Sequence, residues 1–387
     1  MTAQSLPIES FVRLAKPELQ GLLDALVAAG YRTIGPRLKE GAIVWDDLRH
    51  VGELPTGWTD LQQGGSYRLV AGGGQEHFGY SAGPDSLKRF LFPPREDVLE
   101  CRREGEQWRF ETPRWSAPPL AAIGLRACDL RALAIQDRVF LDGHYVDDAY
   151  QRRRLGLFVL AVNCSRAAAT CFCHSMGCGP GVSGGFDVAL TELEDWFILE
   201  IGTERGGQIA AAGNWAPCSM AQIDAAREVT RKLRDELQQR RPGPGPDGVP
   251  QGRQLDLVGL RELLLNNLEH PRWELAAERC LACGNCTMVC PTCFCSTVQE
   301  VSDLRGDNVV RQRGWSSCFT SEHSYMNSGA VRKSTASRYR QWLTHKLATW
   351  HDQFGESGCV GCGRCIAWCP VGIDLTEEVA ALRESAP

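Results

Sequence analysis

No apolar run in this sequence approaches the roughly 20 residues that cross a bilayer. Its opening, MTAQSLPIESFVRLAK, carries neither an apolar leader nor a twin-arginine signal. Membrane insertion and export are therefore not expected, and a soluble, cytoplasmic chain is. A basic excess is also lacking. Lys and Arg total 42 against 47 Asp and Glu, a formal net charge of −5, whereas nucleic-acid binders usually carry surplus positive charge. No nucleotide fingerprint is present: Gly72, Gly73 and Gly74 form a loop without a GxGxxG or GK[ST] around it.

Cysteine, by contrast, is abundant, with 18 among 387 residues. Disulfide frameworks belong mostly to short secreted chains, so these thiols read as metal ligands in a reducing compartment. Two stretches carry most of the signal. Residues 280–291 read CLACGNCTMVCP and residues 359–370 read CVGCGRCIAWCP, identical at four cysteines, at the glycine after the second cysteine and at the closing proline. CxxCxxCxxxCP is the ligand run of bacterial [4Fe–4S] ferredoxins, whose fourth cysteine serves the other cluster. Crossed ligation is therefore expected, with Cys280, Cys283, Cys286 and Cys369 on one cube and Cys359, Cys362, Cys365 and Cys290 on the other. Gly284 and Gly363 would let backbone N–H groups approach cluster sulfur. The bland alternative is a pair of Cys₄ zinc sites, which an evenly spaced CxxCxxC closed by CP disfavours.

A further set stands earlier in the chain. Cys164, Cys171 and Cys173 follow the apolar run Leu157 to Val162, and Cys128 follows Leu120 to Arg126. The C-terminal ends of strands are where sites assemble in α/β sheets, so these four are candidates for a third iron–sulfur cluster. Cys178 is a substitute ligand and Asp129 an oxygen ligand or supporting group. The competing reading is simple burial, since free cysteines pack well. Cys293, Cys295 and Cys318 are assigned to packing around the clusters rather than to a further metal or a redox thiol pair. Cys101 and Cys218 are read as structural.

Taken in order, apolar periodicity predicts a helix from Ala15 to Gly30 and strands at Thr33 to Ile34 and Ala42 to Trp45. Strands at Leu120 to Arg126, Leu157 to Val162 and Trp196 to Ile201, with helices at Asp129 to Phe140 and Met220 to Leu237, make residues 1–240 an α/β domain. A Pro/Gly-rich linker spans 241–253. Residues 254–387 then form a mainly α-helical two-cluster ferredoxin domain, giving an α+β chain overall. Helices are expected at Leu255 to Leu268, Ser337 to Phe354 and Leu375 to Arg383, and the two cysteine runs stand 68 residues apart. From Glu322 to Asp352 no acidic residue intervenes, while Arg332, Lys333, Arg338, Arg340 and Lys346 are basic. This is read as a solvated face, with docking of an acidic partner as the alternative.

RACDLRALAIQDRVF, NCSRAAATCFCHSMGCGP, CLACGNCTMVCPTCFC, WSSCFT and RYRQWLTHKLATWHDQFGESGCVGCGRCIAWCPVGID together resemble the 4Fe–4S dicluster family. That family contains the beta subunit of soluble NiFe hydrogenases (sulfhydrogenases) and the electron-transfer subunit of anaerobic sulfite reductase. The resemblance runs from about Leu120 to the C-terminus. It implies an electron-transfer subunit working in a hetero-oligomer beside the NiFe hydrogenase subunits and a flavin- and NAD(P)-binding subunit. The paired CxxC motifs of a nickel-binding chain are missing here, so the resemblance assigns hydrogen chemistry to a partner. The same relay role in a sulfite reductase complex, and a sulfur-reducing enzyme acting at the N-terminal cluster, are the alternatives.

Overall fold

The structure is a computed structural model that describes residues 5–113, 117–213, 215–240 and 252–385; the linker residues 241–251 lie outside them. Leu120–Leu125, Phe158–Val162 and Val188–Glu192 are buried almost throughout, as parallel strands covered on both faces must be. With Arg32–Lys39 they form a parallel core in the order Arg32–Lys39, Leu120–Leu125, Phe158–Val162, Val188–Glu192. Antiparallel strands complete an eight-stranded sheet. Ala42–Asp47 flanks one edge, and Trp196–Ile201, Phe11–Ala15 and Ala216–Pro217 extend the other.

Alternation along the strands feeds two cores. Phe158, Leu160 and Val162 meet Leu19, Leu22, Leu23 and Leu26 of the helix Leu19–Ala28, while Val159 and Ala161 meet Leu130, Leu133 and Tyr150 on the other face. Gly124, at φ +90°, marks a register shift between Ile123 and Leu125, a bulge that an L side chain would strain. Immediately beyond it the strand hands over to the helix Ala127–Phe140, which carries Cys128 in its first turn. Val162 likewise leads to Cys164 at the end of the neighbouring strand.

Beyond residue 252 the helices Leu260–Asn266, Arg272–Arg279, Thr335–Thr344 and Leu375–Ser385 pack around Trp273, Tyr339, Trp342, Leu343 and Leu347, while Trp350–Phe354 packs on the cluster that holds Cys128, Cys173 and Cys362. A π-helical turn, His345–Thr349, joins two of them. The connection between the cysteine runs is not helical throughout. Ser296–Ser302 and Asn308–Trp315 form a hairpin, and the second strand pairs with Arg95–Glu104, itself paired with Gln107–Glu111. This four-stranded sheet draws half its strands from the first 111 residues, so the two parts of the chain are interleaved. Gly252 and Arg253, grouped with the linker by composition, are buried. Arg253 Nε donates to Asp374 Oδ2 at 2.7 Å and its Nη1 to the Ala169 carbonyl at 3.1 Å.

Candidate metal centres

The two cysteine runs fold alike because they are built alike. In each, an extended loop holds the first two cysteines and a glycine in the left-handed region follows: Gly284 and Gly363, both at φ +74°. A one-turn helix then carries the third cysteine, Asn285–Met288 with Cys286 and Arg364–Ala367 with Cys365. Cys290 and Cys369 come just after those turns, and each points across to the other run. Cys280, Cys283, Cys286 and Cys369 line one cavity, together with Tyr339 and Trp342. Cys290, Cys359, Cys362 and Cys365 line a second, and Cys365 belongs to the wall of both.

Backbone and side-chain donors surround these sulfurs. The N–H groups of Ala282, Gly361 and Ile373 point at the sulfurs of Cys280, Cys359 and Cys369 at 3.4, 3.4 and 3.3 Å. Tyr339 Oη and Trp342 Nε1 are buried beside the first cavity with no hydrogen-bond partner. An orphaned donor of this kind asks for an acceptor. Among the described residues no three His, Cys, Asp or Glu side chains converge tightly enough for a single metal ion; four thiols spread around one cavity suit a larger, multi-atom group. Burial pushes the Cys359 thiol up to about 12, and burial with crowding by neighbouring thiols drives Cys286 and Cys365 well above the usual range. Such thiols ionise only when a cationic group joins them.

The strand-end cysteines also meet. Cys128, Cys173 and Cys178 share one buried cluster with Cys362, and Cys164 packs against it. Cys173 is raised well above its ordinary range by burial and by its neighbours Cys171, Cys164 and Cys178, and burial takes Cys171 up to about 12. The Cys171 thiol lies 4.0 Å from the Cys362 carbonyl, so this group abuts the second cavity. Cys178 instead donates to the Met176 carbonyl at 3.1 Å and lines a surface cleft of about 720 Å³. Asp129 is bound to arginine: its carboxylate accepts from the Arg126 N–H at 3.2 Å and from Arg364 Nη2 at 2.7 Å.

Packing accounts for the lack of a side chain at the glycines of the second run. A Cβ on Gly363 would sit 2.4 Å from the Thr170 carbonyl oxygen, and one on Gly361 would sit 2.6 Å from that of Phe172. The loop of the second run thus lies backbone against backbone on TCFC of the third group, with the Phe172 N–H bonded to the Gly361 carbonyl at 2.9 Å. Gly363→Ala is expected to cost about 1–3 kcal/mol through overpacking. Chemical denaturation checks it, and a variant within ~0.5 kcal/mol of its parent would refute the contact.

Residues that sequence reasoning missed complete the surroundings. The tip of the hairpin Trp58–Gln63 and Ser66–Ala71 buttresses the second run, Gly65 N–H donating to the Ile366 carbonyl at 3.0 Å. Lys88 is buried, and its Nζ donates to the carbonyls of Thr287 and Met288 at 3.3 and 3.1 Å. Lys346, counted above with the basic surface, is instead 3% exposed and turned inward. Arg340 is partly tied down at the Leu268 carbonyl and Glu269, and Arg338 at the Lys333 carbonyl and Thr335 Oγ1, which leaves Arg332 and Lys333 for any docking face. Of the remaining thiols, Cys293 hydrogen-bonds Cys290, and Cys295 hydrogen-bonds Cys318. The bond with Cys318, together with His323 beside it, holds the Cys295 thiol down at about 4. Cys101 lies within the four-stranded sheet opposite Val309 and Phe110, and Cys218 follows an edge strand.

Two comparisons with known proteins find matches. The model of the 4Fe-4S dicluster domain matches residues 279–373. Sulfhydrogenase 2 subunit beta of Pyrococcus furiosus is 31% identical over 300 residues, which cover 77% of this chain and 82% of that protein. No solved structure matches.

Proposed function

We infer the function from this premise: the chain belongs to the family of the sulfhydrogenase beta subunits. It is an iron–sulfur electron-transfer subunit of a hydrogenase-type complex. Among the described residues no helix is long and apolar enough to cross a membrane. We propose the finer reading that it serves a cytoplasmic, NAD(P)-linked NiFe hydrogenase, between the catalytic subunits and a flavin- and NAD(P)-binding subunit.

The observation that carries the proposal is the crossing of the two runs into two tetrads with Cys365 in the wall of both. Cys280, Cys283, Cys286 and Cys369 would hold one [4Fe–4S] cluster and Cys290, Cys359, Cys362 and Cys365 a second. Cys128, Cys164, Cys171 and Cys173 would hold a third. Clusters bound there supply one-electron chemistry, at potentials set by hydrogen bonds to sulfur, charge and exposure. The protein's part is to space the thiol groups, orient N–H donors toward them and exclude water between them. Exposed Cys283 marks one end of the line and the cleft beside Cys178 the other. Nothing in this arrangement requires a substrate pocket, which favours a relay over a sulfur-reducing enzyme.

Affinity purification of the chain from its native cell under anaerobic conditions tests the reading. A nickel-containing protein and a flavoprotein are expected to co-purify, and NADH or NADPH is expected to bleach the visible absorbance. A sirohaem protein in their place would move the assignment to a sulfite reductase complex.

A further inference from the structure

Lys346 occupies an unusual place for a lysine. It lies on the π-helical turn His345–Thr349, and π turns interrupt helices at functional sites more often than elsewhere. Its Nζ has three neighbours within hydrogen-bond distance: Cys290 Sγ at 3.3 Å, Thr292 Oγ1 at 3.0 Å and the Gly358 carbonyl at 3.1 Å. Three acceptors match the three N–H bonds of an ammonium, whereas a neutral amine would leave one unserved. The acceptors are themselves fixed, since Thr292 Oγ1 donates to the Gly358 carbonyl at 2.7 Å and lies 3.1 Å from Cys290 Sγ. The backbone of Lys346 holds the same loop a second time, its carbonyl accepting from the Gly358 N–H at 2.8 Å. Trp350 walls the ammonium from solvent, with Nζ 5.6 Å from its ring centroid.

The other tetrad has a cation near it but none bonded to its sulfurs: Arg338 lies by Cys280, while its Nη1 and Nη2 donate to the Lys333 carbonyl and Thr335 Oγ1, both at 3.4 Å. Among the described residues no cation donates a hydrogen bond to Cys280, Cys283, Cys286 or Cys369; their sulfurs meet the neutral backbone N–H groups of Ala282 and Ile373. Arg364, beside Cys362, is neutralised by Asp129 at 2.7 Å. The two cysteine runs share their four cysteines, a left-handed glycine and a one-turn helix, yet among the described residues Lys346 on Cys290 is the buried cation hydrogen-bonded to a ligand sulfur without a carboxylate beside it.

We propose that Lys346 is a potential-setting residue: its ammonium, clamped on Cys290 Sγ, raises the reduction potential of the centre held by Cys290, Cys359, Cys362 and Cys365 above that of its neighbour. Adding an electron makes a thiolate-bound centre more negative, and a fixed positive charge in a dry site favours that more negative form. The middle centre of the line is then the one that fills first, so electrons collect between the partners rather than at the exposed end near Cys283. This inference rests on the two-cluster reading above.

The test is an EPR-monitored redox titration of the anaerobically purified, iron-loaded protein, parent against Lys346→Met. At fixed potential the reduced-to-oxidised ratio of one centre is expected to fall at least tenfold, a midpoint shift of about 59 mV for one electron, while the other centre holds its midpoint. Unmoved midpoints in a fully loaded variant overturn the role of Lys346 and leave the clusters standing; a parent protein without iron overturns both. Should the variant fail to retain iron, the parent grown with ¹⁵N-lysine supplies a second readout. Electron spin-echo modulation from ¹⁵N is expected in the reduced protein, and its absence overturns the proposal.

Discussion

Replacing Cys290 by serine is expected to strip iron from the segment around Cys359 and to leave the segment around Cys280 loaded. In sequence Cys290 belongs with Cys280, Cys283 and Cys286, only four residues beyond the last of them. In space it lines the cavity of Cys359, Cys362 and Cys365, because the one-turn helix before it carries the chain out of its own loop and across to the other run. Loss of one thiolate from a Cys₄ site should release a cluster, about four irons, and free the three cysteines that shared it. Anaerobic alkylation mapped by mass spectrometry distinguishes the two arrangements. Labelling should rise at Cys359, Cys362 and Cys365. Labelling confined to Cys280, Cys283 and Cys286 would mean that each run serves its own cluster.

The second large effect is expected at Arg364. Its guanidinium is 1% exposed and joins the second run to the helix Ala127–Phe140 through Asp129 Oδ1 at 2.7 Å, and to the Gly83 carbonyl at 2.9 Å. Asp129 is equally sheltered. Removing one member of a buried pair leaves the other charge without its counterion, which costs about 3–5 kcal/mol. Arg364→Met should therefore lower the denaturation midpoint sharply. The double variant Arg364→Met with Asp129→Leu should recover much of the loss, since replacing both partners by apolar groups of similar size is often neutral. A single variant as stable as its parent would show that this pair does not hold the two parts of the chain together.

How much of this was legible in the sequence depended on whether the signal was local. CxxCxxCxxxCP fixes ligand spacing within a dozen residues, so both runs could be read directly. The strand-end cysteines were legible as a set because apolar runs ending at Leu125 and Val162 put them at the C-terminal ends of neighbouring parallel strands. The hairpin Ser296–Ser302 with Asn308–Trp315 was not, since its second strand pairs with Arg95–Glu104, about two hundred residues earlier. Lys346 was misread as surface charge because counting charges along the chain ignores helical phase. Trp342, Leu343 and Trp350 stand at its i−4, i−3 and i+4 positions and are all buried. A lysine on that stripe had to point inward, where its ammonium needs hydrogen-bond acceptors such as Cys290 Sγ, Thr292 Oγ1 and the Gly358 carbonyl.

The most direct test of the account is the iron content of the anaerobically purified chain. Three thiol groups holding one cluster each predict about twelve iron atoms per chain, four for each Cys₄ site. A value near eight would remove the group at Cys128, Cys164, Cys171 and Cys173, and a colourless chain loaded with zinc would contradict the relay altogether.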